Sequence, residues 1–236
     1  MATASTKKKK SKGDPSGKPP RKRPSRAKTE EDYKETPLLK PDHAPECIVV
    51  GVDPSLRNTG VTVWQLPSCT LLYQTTVKNP PKTLHDMKSY KTIYNSLISV
   101  FREYKPQAVF IERIFQSKSS DITQALFQAQ FSSRLAAYDL KIPSVIVPTS
   151  GPTGWQTHVL GGAYKATKAG IKKILTRKKL QTQLGIEFDN EHIADSASIA
   201  LTGAYFYFHP NPELAALGVN TLTAMAPEDE TFEETA

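Results

Sequence analysis

The stretch Cys47–Leu66, "CIVVGVDPSLRNTGVTVWQL", decides how the chain is read. β-Branched residues and a glycine run without a polar break into Asp53, and Asp-Pro-Ser then opens a turn. This is the pattern of a short strand buried on both faces. Burying an unpaired carboxylate at the end of such a strand costs more than the roughly 2–7 kcal/mol of an unpaired neutral amide or hydroxyl. Either Asp53 caps the turn or a cation sits on it.

Outward from this stretch, "GVTVWQL" and "TLLYQTTV" alternate as two further strands, with Pro67–Ser68 in the turn between them. Residues 84–104 space Met87, Tyr90, Ile93, Tyr94, Leu97, Ile98 and Phe101 as one helical face. "QAVFIER" is a short buried strand, 120–138 a helix, and "PSVIVP" a fifth strand. A Gly-rich loop spans Ser150–Gly162, a basic helix Lys165–Leu180, and a last helix Asn190 to about Phe208. Three strands followed by alternation with helices predict a mixed α/β sheet with helices packed on it.

Charge divides the chain differently. Residues 1–28 hold eleven Lys/Arg against Asp14 alone, and residues 211–236 hold six Asp/Glu and no Lys/Arg. Residues 1–45 therefore read as a disordered basic tail, 46–210 as the folded domain and 211–236 as an acidic disordered tail. The basic tail is either a solvated solubility tail or an arm for nucleic acid, where each lysine near a phosphate releases counterions. Its clusters Lys7–Lys12 and Arg21–Arg26 also have the composition of a nuclear import signal. Cys47 and Cys69 make no disulfide framework, and no Cys/His cluster has zinc spacing. No apolar run has the length of a membrane span, so the expectation is a soluble protein of a reducing compartment, cytoplasmic, nucleoid-associated or nuclear.

The acids at the ends of core elements carry the chemistry. Asp53 ends the first strand and Glu112 ends "AVFIE"; as neighbours in one sheet, both carboxylates emerge at the same end. In "NEHIADSASIA", His192 and Asp195 lie three apart on one helical face, with Glu191 near it, and Asp189 or Asn190 is placed to cap the helix. Each feature has an ordinary explanation: a turn start, a solvated strand tip paired with Arg113, a His–Asp pair. Close carboxylates together repel unless one stays protonated or a cation joins them. Mg²⁺ suits such a set, because it takes oxygen ligands and keeps positions for water and phosphate.

"GVDPSLRNTGV", "VFIERIF" and "HIADSASIALT", in that order, resemble the RuvC Holliday-junction resolvases over roughly residues 47–207. The resemblance implies an RNase H-like fold, a five-stranded mixed sheet flanked by helices. It implies a homodimer on four-way junction DNA and paired symmetric nicks, made by Mg²⁺-dependent hydrolysis that leaves 5′-phosphate ends. Asp53, Glu112, His192 and Asp195 would be the catalytic, metal-binding set, with two Mg²⁺ per site. A histidine at the third position, softer than carboxylate, leans the metal preference toward Mn²⁺. Phe115 would stack near the crossover; the alternative is a core phenylalanine. Gln156, Lys165 and Lys168 would meet DNA, where the commoner fate of lysines is a solvated helix face. The chain departs from the family at Trp155, where many members carry a basic residue, and in its long tails. It has the look of a viral or phage member. The helix 120–138 is the expected dimer interface. Bacterial members work with a branch-migration motor, which nothing in this sequence requires. The competing readings are a broader branched-DNA or RNA–DNA hybrid nuclease of the same fold, a non-catalytic junction-binding protein, and a DNA-condensing protein working through the basic arm.

Overall fold

The computed structural model describes residues 37–80, 87–114, 119–161 and 169–208. The elements run β1 (Cys47–Asp53), β2 (Asn58–Leu66), β3 (Thr70–Lys78), α1 (Met87–Tyr104), β4 (Ala108–Glu112), α2 (Ser120–Asp139), β5 (Ser144–Val147), α3 (Trp155–Leu160), α4 (Ala169–Leu184) and α5 (Glu191–Phe208). The five strands form one sheet in the order β3-β2-β1-β4-β5. β1 pairs antiparallel with β2 and parallel with β4; β2–β3 is antiparallel and β4–β5 parallel. The mixed sheet flanked by helices is the RNase H-like arrangement expected from the sequence.

The period of two along a strand assigns the layers. In β1, Val49 joins the core beneath α3, α4 and α5, while Val50 and Val52 join the core beneath α1 and α2. In β4, Phe110 takes the α5 side and Ile111 the α1–α2 side. Asp53 and Glu112 follow by alternation onto the α5 side. They lie one position beyond the Val52–Ile111 pair of the parallel register, so they stand side by side at the same end.

α5 is buried from Ile193 to Ala204 without interruption. Its residues there are mostly Ala, Ser and other small side chains, so the helix lies close on the sheet. A Cβ at Gly51 would overlap the Ser196 carbonyl oxygen, and one at Gly60 the His192 carbonyl oxygen. These two glycines set the height of α5 above β1 and β2. The buried hydroxyls of Ser196 and Ser198 donate to the carbonyls of Ile193 and Ala194 within the helix. They add polar groups to the core without leaving them unpaired. Asn190 caps the helix: its Oδ1 accepts from the Ile193 amide at 3.2 Å.

The structure corrects the sequence reading in two places. The loop Ser150–Gly162 contains the helix α3, whose residues Trp155, Val159 and Leu160 are core. Apolar side chains at helical spacing outweigh the glycine and proline around them. Residues 37–45, grouped with the basic tail by composition, place Leu38 and Ala44 in the core, and the Leu38 amide donates to Gln183 Oε1 of α4 at 2.6 Å. Leu38, Leu39 and Ala44 among prolines and polar residues are too sparse a pattern to show this. Cys47 and Cys69 are free and buried. No helix among the described residues is long and apolar enough to cross a membrane. Residues 1–36 and 209–236, which hold nearly all of the proposed tails, lie outside the described residues.

Candidate active site

Asp53 is not the cap of its turn. The turn is closed by Thr59, whose hydroxyl donates to the Ser55 carbonyl at 2.6 Å and lies 3.3 Å from the Ser55 amide. Asn79 braces the same turn by donating to the Leu56 carbonyl at 2.8 Å. The Asp53 carboxylate turns instead toward α5, where its Oδ2 lies 3.0 Å from His192 Nδ1. His192 thus pairs with Asp53 across the sheet–helix boundary, not with Asp195 on its own helix.

Glu112 is held from the other side. Its Oε1 accepts from the Thr149 hydroxyl at 2.6 Å and from the Trp155 indole N–H at 2.8 Å. Thr149 follows β5 and Trp155 begins α3, so the crossover after the fifth strand clamps one oxygen of the acid. Gln130 of α2 donates to the backbone carbonyl of Glu112. Trp155 is 2% exposed. Its indole is buried against the Glu112 carboxylate.

Asp195 projects from α5 and is 4% exposed. Its Oδ2 lies 3.4 Å from Lys173 Nζ of α4, and its buried Oδ1 has no hydrogen-bond partner among the described residues. Lys173 also lies 3.9 Å from Glu191 Oε2. A buried carboxylate oxygen without a partner carries most of its desolvation cost uncompensated.

The three acids sense one another. Burial pushes Glu112 up to about 8, and the Asp53 charge adds to it, while Thr149 and Trp155 work in the opposite direction. Burial and then Asp53 likewise push Asp195 up to about 7, against Lys173 and His192. Burial of the Lys173 ammonium opposes its charge, but Asp195, Asp53 and Glu191 outweigh it and hold the group above its ordinary value. Two carboxyl groups that resist ionisation beside a third mark a place where positive charge is in deficit.

Sequence reasoning placed Asp53, Glu112, His192 and Asp195 at one site, and the structure brings all four to the same end of the sheet. Gln156 is half-buried on α3 beside Trp155, with its amide bonded to the Thr149 carbonyl at 3.0 Å, so it stands next to the Glu112 clamp. Phe115, Lys165 and Lys168 lie outside the described residues. Thr149, Trp155 and Lys173 were missed as functional residues. No local motif marks a hydroxyl, an indole or a lysine that meets an acid many residues away.

A five-stranded mixed sheet with acids ending two adjacent central strands, faced by a third acid and a histidine on the helix across them, defines a protein of RNase H-like fold. The family model "Crossover junction endodeoxyribonuclease RuvC" matches residues 49–203, and the chain belongs to the RuvC family. A crossover junction endodeoxyribonuclease RuvC of Shewanella sediminis is 30% identical over 174 residues, covering 72% of this chain and 92% of that protein. One of Bifidobacterium adolescentis is 30% identical over 133 residues, 55% of this chain and 66% of that protein. Among solved structures, T. thermophilus RuvC in complex with Holliday junction substrate superposes with a TM-score of 0.56 at 21% identity, covering 68% of this chain and 94% of that one. That structure shares the fold.

Proposed function

We propose that this protein is a structure-selective endonuclease that resolves four-way DNA junctions by paired, symmetric, metal-dependent nicks. The observation that carries the reading is the convergence of Asp53, Glu112 and Asp195, two of them resisting ionisation, with a buried oxygen on Asp195 that has no hydrogen-bond partner among the described residues.

The donor set fits a hard divalent cation. Its donors are carboxylate oxygens, with one imidazole at the rim. Among the described residues, no three or more His, Cys, Asp or Glu side chains stand together in an arrangement that could hold a metal ion. Mg²⁺ tolerates that, since it binds through one or two carboxylates and completes its shell with water and substrate phosphate. Asp53, Glu112 and Asp195 would hold the cations, with Asp53 the acid common to both, and His192 would join Asp195 in holding one or in orienting water. When bound, the cations supply charge that stabilises in-line attack of water on phosphorus and departure of the 3′ oxygen.

The protein's own part is to hold the acids still. Thr149 and Trp155 fix one oxygen of Glu112 and leave the other for ligation. His192 fixes Asp53 Oδ2. The Gly51 and Gly60 contacts fix the helix that carries Asp195. His192 leans the metal preference toward Mn²⁺; activity in Mn²⁺ equal to or below that in Mg²⁺ would count against this lean.

Four-way symmetry calls for a two-fold dimer. α2 offers the surface: Ile122, Phe127, Phe131, Leu135 and Tyr138 are all exposed on it, more apolar area than a solvated helix ordinarily shows. Phe115, three residues beyond Glu112, serves as the aromatic that stacks at the crossover, and Gln156, Lys165 and Lys168 meet the backbone. The test compares wild type with Asp53→Asn on a mobile-core junction, linear duplex, a flap and an RNA–DNA hybrid. Ligatable paired nicks on the junction alone, lost in the variant while junction binding persists, support the reading. Cleavage of every branched DNA indicates a broad branch nuclease. Binding without cleavage in Mg²⁺ or Mn²⁺ indicates a non-catalytic junction-binding protein.

A further inference from the structure

The three acids are escorted differently. Asp53 is met by the part-exposed imidazole of His192 on α5, and Glu112 by a hydroxyl and a buried indole. Asp195 is met by the ammonium of Lys173, on a long flexible stem whose side chain is 40% exposed. The contact is 3.4 Å, longer than a well-formed charge-assisted hydrogen bond of about 2.7–2.9 Å. The same ammonium is shared with Glu191 at 3.9 Å. Asp195 Oδ1, meanwhile, has no hydrogen-bond partner among the described residues. A strongly held lysine would satisfy its acid; this one balances the charge of the cluster loosely and can retreat to solvent.

We propose that Lys173 is a built-in counter-ion that occupies Asp195 in the metal-free protein and is displaced when a divalent cation binds there. The inference rests on the metal reading of the site proposed above. Its logic is competition. One carboxylate facing two cations at close range loses part of each attraction to repulsion between them, so lysine and metal ion exclude one another. The lysine keeps the acid cluster folded in the absence of metal and weakens metal binding in the absence of DNA. It is a positioning residue, since it acts through Asp195.

The experiment measures Mn²⁺ binding to the full chain without DNA, by calorimetry and by the loss of the free-ion electron paramagnetic resonance signal. Wild type, Lys173→Met, Lys173→Arg and Asp195→Asn are compared, together with melting temperatures in chelator and in saturating Mn²⁺. Lys173→Met keeps the stem and removes the charge. It should bind Mn²⁺ roughly two- to fivefold more tightly than wild type, the scale of a partly exposed ion pair. Its melting temperature should fall in chelator and match wild type in Mn²⁺. Lys173→Arg should restore the wild-type affinity. Equal or weaker Mn²⁺ binding by Lys173→Met would overturn the proposal, as would an equal loss of stability with and without metal, the mark of a merely structural lysine. Absence of Mn²⁺ binding by wild type would overturn the metal reading itself. Binding by wild type that Asp195→Asn leaves unchanged would move the ion off Asp195 and remove the basis for competition.

Discussion

The two faces of the sheet differ in what they bury and in what they leave open. On the α5 side, backbone meets backbone: two glycines admit a helix of small residues, and Asp53, Asp195, His158, Ser196, Ser198 and Thr202 are buried among the apolar side chains. On the α1–α2 side Val50, Val52, Ile93, Leu97, Phe101 and Ile111 form the inner core, and the buried polar residues of the two helices, Ser89, Gln130, Ser132 and Ser133, are uncharged. The outer surface there carries Phe127, Phe131 and Tyr138 uncovered, and a groove between α1 and α2 is lined by Met87, Tyr90, Tyr94, Phe131 and Leu135. The first face spends packing precision on holding charge. The second is well packed beneath and unfinished above. In the proposed function, chemistry belongs to the closed face and association to the open one.

The largest effect that would break this contrast lies among the acids. Asp195→Asn keeps the shape of the side chain and removes its charge. Junction cleavage should fall by at least about a hundredfold, with junction binding retained, because a lost metal ligand costs several kcal/mol in the transition state. Steady-state cleavage and a gel-shift titration on the same junction check both halves.

Next comes the close approach beneath α5. Gly51→Val places a branched side chain where the Ser196 carbonyl and Ala200 already stand. Overpacking of this kind should cost about 1–3 kcal/mol, read from urea unfolding, and cleavage should fall with it as Asp195 and His192 move off the strand acids. Full activity in that variant would mean that α5 does not set the site.

The acids also give the closed face a pH dependence. Glu112 at about 8 and Asp195 at about 7 are raised, first by burial and then by Asp53. The folded protein holds these protons more tightly than the unfolded chain. Their stabilising contribution is therefore complete below the ordinary carboxylate range near pH 4 and is lost as the pH rises through 7 and 8. In chelator the melting temperature should fall from about pH 5 to about pH 8.5, less steeply in Glu112→Gln. Saturating Mn²⁺ should flatten the slope, because ligation replaces the protons. A melting temperature that rises across that window in chelator would contradict the assignment.

The smallest expected change in stability is on the open face. Phe131 is 63% exposed, so Phe131→Glu should leave folding within about 0.5 kcal/mol of wild type. It should nevertheless convert a dimer to monomers in sedimentation. A dimer that survives the charge would move the interface away from α2.

Much of this was legible in the sequence because strands and helices announce themselves by period. The apolar runs of β1 and β4 end in acids and the apolar spacing of α1 is regular, so a mixed sheet with helices on it could be expected, with Asp53 and Glu112 at one end if their strands are neighbours and His192 and Asp195 on one face of the last helix. Contacts between distant segments were not legible. Nothing near Trp155 shows that its indole will meet Glu112, and nothing near Lys173 shows that it will lie on Asp195. The open question at Asp53, turn cap or partnered acid, was decided by Thr59. Its hydroxyl closes the turn and leaves the aspartate facing α5. Leu38 shows the same limit at the chain's edge, where one apolar residue in a polar stretch finds its place only through the tertiary fold.

The most direct test of the central claim is the anomalous diffraction of Mn²⁺ in crystals of the full chain. Mn²⁺ should lie within bonding distance of an oxygen of Asp53 and of Glu112 or Asp195, with Lys173 withdrawn from Asp195. An enzyme that cuts junctions in Mn²⁺ yet shows no manganese against Asp53 would contradict it.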